Sequence, residues 1–217
     1  MVVSKIFKPS DYKDVLKHIS LSSEEMKERI ASFRLSFLNI HNETVEWGMK
    51  IPMFARPFYV YIFRKNDIPT QEGFFNYYML FNKDFFSDNS FDDDIIDGIR
   101  ARAYRAYPSL IRDVIFNKYV KENIVGYSAL YSLDLDINEG IDLMLSNQQN
   151  NYAVNLYTAT KRAYTGREMK QFRHVPFENV TYVEFPVIFE NSHKVGDFFL
   201  YGEKEYNDLI ERIRELA

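Results

Sequence analysis

The feature that most constrains this fold is a change in the spacing of apolar residues near position 124. Before it, apolar side chains such as Leu110, Ile111 and Val114 recur at helical spacing, which indicates a buried helical face. After it, three short runs of alternating or continuous apolar residues are separated by polar segments, as in strands joined by tight loops. The sequence therefore predicts an α/β fold whose C-terminal part is a mixed sheet with flanking helices.

From residue 95 onward, the predicted order is helix, three strands, helix, two strands and a C-terminal helix. Pro108 predicts that the first helical segment is broken into two pieces, 95–106 and 109–122, since proline lacks the backbone N–H that a helix interior uses. A further helix is predicted over 163–174. Pro186 predicts that its strand lies at the edge of the sheet or contains a bulge.

The first 90 residues predict a mainly helical, aromatic-rich N-terminal region. Ser22–Glu25 has the capping-box pattern of a helix start, whereas the aromatic and β-branched run 58–63 predicts a strand. The polar, acidic stretch 87–94 suggests a boundary. We therefore predict an N-terminal region over 1–90 and an α/β domain over 91–217.

Composition excludes several classes of protein. Hydrophobic types make up 46% of the 217 residues, and the net charge is −4, so the chain is too apolar and too weakly charged for a disordered protein. Because there is no cysteine, thiolate metal sites and thiol nucleophiles are excluded. The four histidines lack the spacing of a zinc site. No apolar run approaches the roughly 20 residues of a membrane span, so we expect a cytoplasmic protein without a membrane partner.

The predicted hairpin after residue 140 brings together residues that could carry chemistry. If its polar loop centres near residues 148 and 149, Asp142 lies opposite Asn155, and Lys161 falls nearer Asp136 and Glu139. Carboxylate oxygens are the ligands that Mg²⁺ prefers, and a bound metal lowers the pKa of an attacking water. A lysine can orient that water or neutralise developing charge.

With this order of elements, the triplet Gly140-Ile141-Asp142 and the distant Lys161 resemble the core of PD-(D/E)XK nucleases, over about residues 95–202. The resemblance implies a restriction-endonuclease-like fold, Mg²⁺ as cofactor, Asp142 as metal ligand and Lys161 as catalytic lysine. It also implies a helix acid near the metal, for which Asp113 is the candidate.

Two departures from the family pattern stand in this sequence. Ile141 replaces the proline, and Ala159 replaces the acid of the acid-x-Lys triplet. The missing carboxylate would have to come from Glu139, Asp136 or Asp134 at a neighbouring position. Among these, we consider Glu139 as a catalytic residue and Asp136 as a metal ligand. The alternative is structural: an Asp beside a Gly near a strand end commonly bonds local backbone amides.

Basic residues form two groups in this acidic chain, one in the helix before the strands and one in 161–174. Guanidinium groups bind phosphates through paired hydrogen bonds, so we predict a nucleic-acid surface, with DNA favoured over RNA. Its candidate residues are Arg102, Arg105, Arg162, Arg167, Lys170 and Arg173.

The function predicted from these residues is DNA processing by Mg²⁺-dependent phosphodiester hydrolysis. Two alternatives stay open. One is a catalytically inactive nucleic-acid-binding module, and the other is a structural or assembly protein. A homo-oligomer is compatible with each of them.

Overall fold

The computed structural model describes residues 5–159, 175–188 and 193–216. They form two compact units that do not follow chain order. The sheet unit comprises the described residues within Met1–His18, Phe116–His193 and Leu200–Ala217. The helical unit comprises Ile19–Ile115 and Lys194–Phe199. A domain boundary between residues 90 and 91 stays a prediction.

The helical unit holds an aromatic core. Its helices are α1 Ser23–Ile30, α2 Ala55–Lys65, α3 Gln71–Phe81, α4 Lys83–Asn89 and most of α5 Asp93–Asn123. The rings of Phe58 and Phe74 meet edge to face at 5.6 Å, and Phe74 stacks on Tyr107 at 5.9 Å. Ser22 and Glu25 form the predicted capping box at the start of α1. The helical, aromatic-rich character predicted for this part of the chain is confirmed.

The strand predicted over 58–63 is wrong, because these residues lie within α2. Phe58, Tyr59 and Ile62 are all buried, and their spacing places them on one helical face. Pro57 occupies the first turn of the helix, where its missing N–H costs little. Burial of these aromatic side chains therefore overrides the β-propensity of the run.

The predicted break at Pro108 is also wrong, since α5 continues through this residue as one helix of 31 residues. A proline in a helix leaves the carbonyl four residues earlier without its N–H partner. That carbonyl belongs to Tyr104, and it accepts a hydrogen bond from the Gln71 side-chain amide at 3.0 Å. The buried Gln71 thus supplies the donor that Pro108 lacks.

The sheet unit contains a four-stranded mixed sheet in the order β1-β2-β3-β4. The strands are β1 Ser128–Leu130, β2 Leu143–Ser146, β3 Asn151–Thr158 and β4 Thr181–Val187. Neighbours from β1 to β3 are antiparallel, and β4 runs parallel to β3. Pro186 lies on β4, at the edge of the sheet among the described strands, as predicted.

The remaining elements are a two-stranded sheet and a C-terminal helix. The two-stranded sheet pairs β5 His193–Val195 with β6 Phe198–Leu200, and α6 spans Glu203–Glu215. In the sheet unit, Phe7, Met144 and Phe177 belong to one buried cluster. The α/β class and the mixed sheet with flanking helices are confirmed.

Candidate functional site

Asp142 lies immediately before β2 and extends its pairing with β3. Its backbone N–H donates to the Val154 carbonyl at 3.1 Å, and its Oδ2 atom accepts the Leu156 N–H at 2.7 Å. The hairpin register centres on residues 148 and 149, as the sequence predicts, but its paired residues end at Leu143 and Val154, so Asp142 is held beside β3 by these two hydrogen bonds. One carboxylate oxygen therefore bonds the backbone of the neighbouring strand.

A second polar pair, Asn155 and Glu184, lies one residue along β3 from the Leu156 N–H that Asp142 accepts. The two residues are partners across the parallel pair β3 and β4, and Asn155 Nδ2 donates to Glu184 Oε1 at 3.0 Å. Asn155 is only 6% exposed, and its Oδ1 atom has no hydrogen-bond partner among the described residues. A buried amide oxygen without a donor costs about 1–3 kcal/mol, and most buried polar atoms in folded proteins have a hydrogen-bond partner.

A second buried amide approaches Asp142 from α5. Asn117 is 1% exposed, and its Nδ2 atom donates to the Asp142 backbone carbonyl at 3.3 Å. Its Oδ1 atom, like that of Asn155, finds no hydrogen-bond partner in the part of the chain that the structure describes. Asp142 is thus held through its backbone and its side chain by groups from two elements of the sheet unit.

The two other candidate carboxylates of the sheet unit have partners of their own. Asp136 Oδ2 accepts a hydrogen bond from the Tyr131 hydroxyl at 2.9 Å, and Glu139 forms an ion pair with Lys5. Burial raises the pKa of the neighbouring Tyr182, so this phenol stays neutral at ordinary pH. Roles for Asp136 and Glu139 in metal binding or catalysis stay predictions.

Asp113 lies on α5 in the helical unit, with Oδ1 3.8 Å from the Nε atom of Arg112. Its role as a helix acid near the metal stays a prediction. Within residues 5–159, 175–188 and 193–216, no three His, Asp or Glu side chains form a group that could hold a metal ion.

The predicted catalytic lysine and most of the predicted basic surface lie outside the described residues. These residues are Lys161, Arg162, Arg167, Lys170 and Arg173. Ala159 is described, and its N–H donates to the Val187 carbonyl at 2.8 Å. The pairing of β3 with β4 therefore extends to within two residues of Lys161 along the chain.

Arg102 and Arg105 contact the chain's own backbone within the helical unit. Arg102 Nη1 donates to the Val45 carbonyl at 2.6 Å, and Arg105 Nη1 donates to the Ile40 carbonyl at 3.1 Å. Arg105 also forms an ion pair with Glu46. These guanidinium groups hold the segment that precedes α2, and a role in binding phosphate stays a prediction for both.

A cavity of about 570 Å³ opens elsewhere in the sheet unit. Its lining includes Tyr12, Lys17 and Tyr127, together with the ion pair of Asp14 and Lys121, whose Oδ2 and Nζ atoms are 2.6 Å apart. None of the residues that the sequence singles out lines this cavity. The residues around Asp142 therefore form a separate candidate site.

Sequence reasoning missed Glu184 and gave Asn155 no functional role. A signal for Glu184 exists in the sequence, since it is the one charged residue in the strand Thr181–Val187. Asn155 is similarly polar within the otherwise apolar centre of β3. The parallel pairing of β3 with β4 brings together two residues that are 29 positions apart in the chain, which local spacing does not reveal.

Comparison with known proteins gives no relative for this chain. It matches no protein-family model, no curated protein and no solved structure. Among the described helices, none combines the length and the apolar character that crossing a membrane requires. The fold and the site thus define a mixed α/β protein with a polar site around Asp142.

Proposed function

We propose that this protein processes DNA by Mg²⁺-dependent phosphodiester hydrolysis in a PD-(D/E)XK-like domain. In this proposal, the sheet unit is restriction-endonuclease-like, Asp142 is a metal ligand, and Lys161 orients the attacking water. The arginine- and lysine-rich segment 161–174 would contact the phosphate backbone. Such a metal would polarise the scissile phosphate and lower the pKa of the bound water.

The observation that carries the proposal is the placement of Asp142 by the β2–β3 ladder. Asp142 is the residue before β2, its N–H donates to the Val154 carbonyl, and its carboxylate accepts the Leu156 N–H. A carboxylate held by backbone hydrogen bonds is preorganised, and preorganised charge is what electrostatic catalysis requires. The order of elements from α5 through the antiparallel strands β1 to β3 to the parallel β4 also supports it.

The test is cleavage of supercoiled plasmid by the full chain in the presence of Mg²⁺. We expect nicking or linearisation that disappears when EDTA removes the metal and in the variants Asp142→Asn and Lys161→Ala. Matched controls are Asp208→Asn and Lys8→Ala, which remove an exposed acid and an exposed lysine. Absence of cleavage by the unmodified chain with Mg²⁺ or Mn²⁺, on plasmid and on single-stranded DNA, would contradict the proposal.

A nucleic-acid-binding module without cleavage is the second candidate function. It is favoured by Ala159, which stands where the family has an acid. This candidate predicts a gel shift of DNA that weakens steeply with salt, because neutralised phosphates release counterions. It also predicts that Asp142→Asn leaves the affinity for DNA unchanged.

A further inference from the structure

The unpaired side-chain oxygen of Asn155 indicates that something binds beside it. Rotating the amide by 180° does not satisfy it, because Oδ1 would then face the Glu184 carboxylate, which the Nδ2 atom now contacts at 3.0 Å. The orientation of the amide is thus set by Glu184, and no donor among the described residues reaches Oδ1. A buried acceptor next to a carboxylate is a favourable environment for a cation.

The sheet brings two carboxylate residues to either side of this amide. The register of β3 and β4 pairs Asn155 with Glu184, and on the other side of β3 the Asp142 carboxylate accepts the N–H of Leu156, the residue after Asn155. The three residues thus come from β3, from β4 and from the position just before β2. Asp142 and Glu184 together carry two negative charges, and Asn155 adds a neutral oxygen.

We infer that Asp142, Asn155 and Glu184 form the protein side of a divalent-cation site, with Glu184 supplying the carboxylate that Ala159 lacks. The residues fit the group, because Mg²⁺ is commonly held by one or two carboxylates, with water and substrate oxygens as its other ligands. The inference rests on the proposed function for the role of Asp142, and it adds two residues that the family pattern does not contain.

Calorimetric titration of Mg²⁺ into the full chain tests the inference without depending on catalysis. We expect Glu184→Gln and Asn155→Ala each to weaken Mg²⁺ binding at least about tenfold, a loss typical of altered metal surroundings. The glutamine side chain in Glu184→Gln keeps an oxygen that can accept from Asn155, so this variant should melt near the temperature of the unmodified chain. The matched control Glu178→Gln removes an exposed carboxylate of the same unit and should leave Mg²⁺ affinity unchanged.

Asn155→Asp provides a test in the opposite direction. The new carboxylate would face Glu184 in place of the amide donor, so we expect a lower melting temperature without metal and tighter binding of Mg²⁺. The inference is overturned if the unmodified chain binds no Mg²⁺, or if Glu184→Gln and Asn155→Ala bind it as tightly as the unmodified chain.

The nuclease activity and the cation site can be refuted independently of each other. Loss of Mg²⁺ binding in Glu184→Gln, in a protein that cuts no nucleic acid, would support the cation site and contradict the nuclease. Mg²⁺-dependent cleavage together with unchanged Mg²⁺ affinity in Glu184→Gln would support the nuclease and overturn the role of Glu184.

Discussion

Replacing Asp142 in two ways separates the hydrogen bond that its side chain accepts from the charge that it carries. Its Oδ2 atom accepts the Leu156 N–H at 2.7 Å in a partly buried position, and a hydrogen bond to a charged group contributes about 1.5–3 kcal/mol. Asp142→Ala removes the acceptor and should cost that amount of local stability. Asp142→Asn keeps an acceptor oxygen, so its cost should stay below about 1 kcal/mol, because only the charge is lost.

Hydrogen exchange at the Leu156 amide measures this difference directly. Because about 1.4 kcal/mol corresponds to a factor of ten, Asp142→Ala should accelerate exchange at Leu156 by about 10- to 150-fold. Asp142→Asn should accelerate it by less than about fivefold. The Asn147 amide, which donates to Asn150 at the other end of the hairpin, should exchange equally in all three proteins.

Two results would refute this reasoning. Unchanged exchange at Leu156 in Asp142→Ala would show that the carboxylate does not hold this amide. Equal acceleration in both variants would show that charge, and not an acceptor in the right place, is what protects it. If the reasoning holds, Asp142→Asn is the proper variant for the cleavage assay, since it removes the charge and keeps the hydrogen bond to the neighbouring strand.

Three further predictions concern stability, each measured by urea unfolding. Burial raises the pKa of Tyr107 above the ordinary value of 10, so above pH 10 this tyrosine ionises in the unfolded state while it stays neutral in the folded state. The free energy of unfolding should therefore fall by up to about 1.4 kcal/mol per pH unit above pH 10. Tyr107→Phe should reduce that slope, and an unchanged slope would contradict the prediction. Lys121→Met leaves the buried Asp14 without its cation and should cost about 3 kcal/mol, with partial recovery in the double variant that also carries Asp14→Asn. Ser22→Ala removes the cap of α1 and should cost about 1 kcal/mol, whereas Ser22→Gly should cost less.

The sequence predicts the sheet better than the helical unit, and α2 shows why. In 58–63, aromatic and β-branched residues follow each other so closely that strand and helix patterns fit equally well. The choice is made by the aromatic core, where Phe58 meets Phe74 from α3 and Tyr107 from α5. Such contacts join residues far apart in the chain, so no local pattern contains them.

The continuous α5 shows a second limit of sequence reasoning. Pro108 predicts a break because it lacks a donor, yet the donor comes from Gln71, 33 residues away from the Tyr104 carbonyl that it satisfies. By contrast, the hairpin of β2 and β3 follows from local alternation and a polar loop, and its register centres on residues 148 and 149 as predicted. Prediction thus succeeds where the partner is near in the chain and fails where it is distant.

The same distinction explains the candidate site. Asp142 follows from the hairpin, but Glu184 reaches Asn155 only through the parallel pairing of β3 with β4. The structural and functional interpretations of Asp142 are compatible, since a carboxylate fixed by the Leu156 N–H is also a carboxylate held still for a ligand. The buried amide oxygens of Asn155 and Asn117 favour the binding of a ligand near Asp142, because neither has a hydrogen-bond partner among the described residues. Each such oxygen costs about 1–3 kcal/mol when it is buried without a donor. If the site had only a structural role, apolar residues would therefore be expected at these two positions.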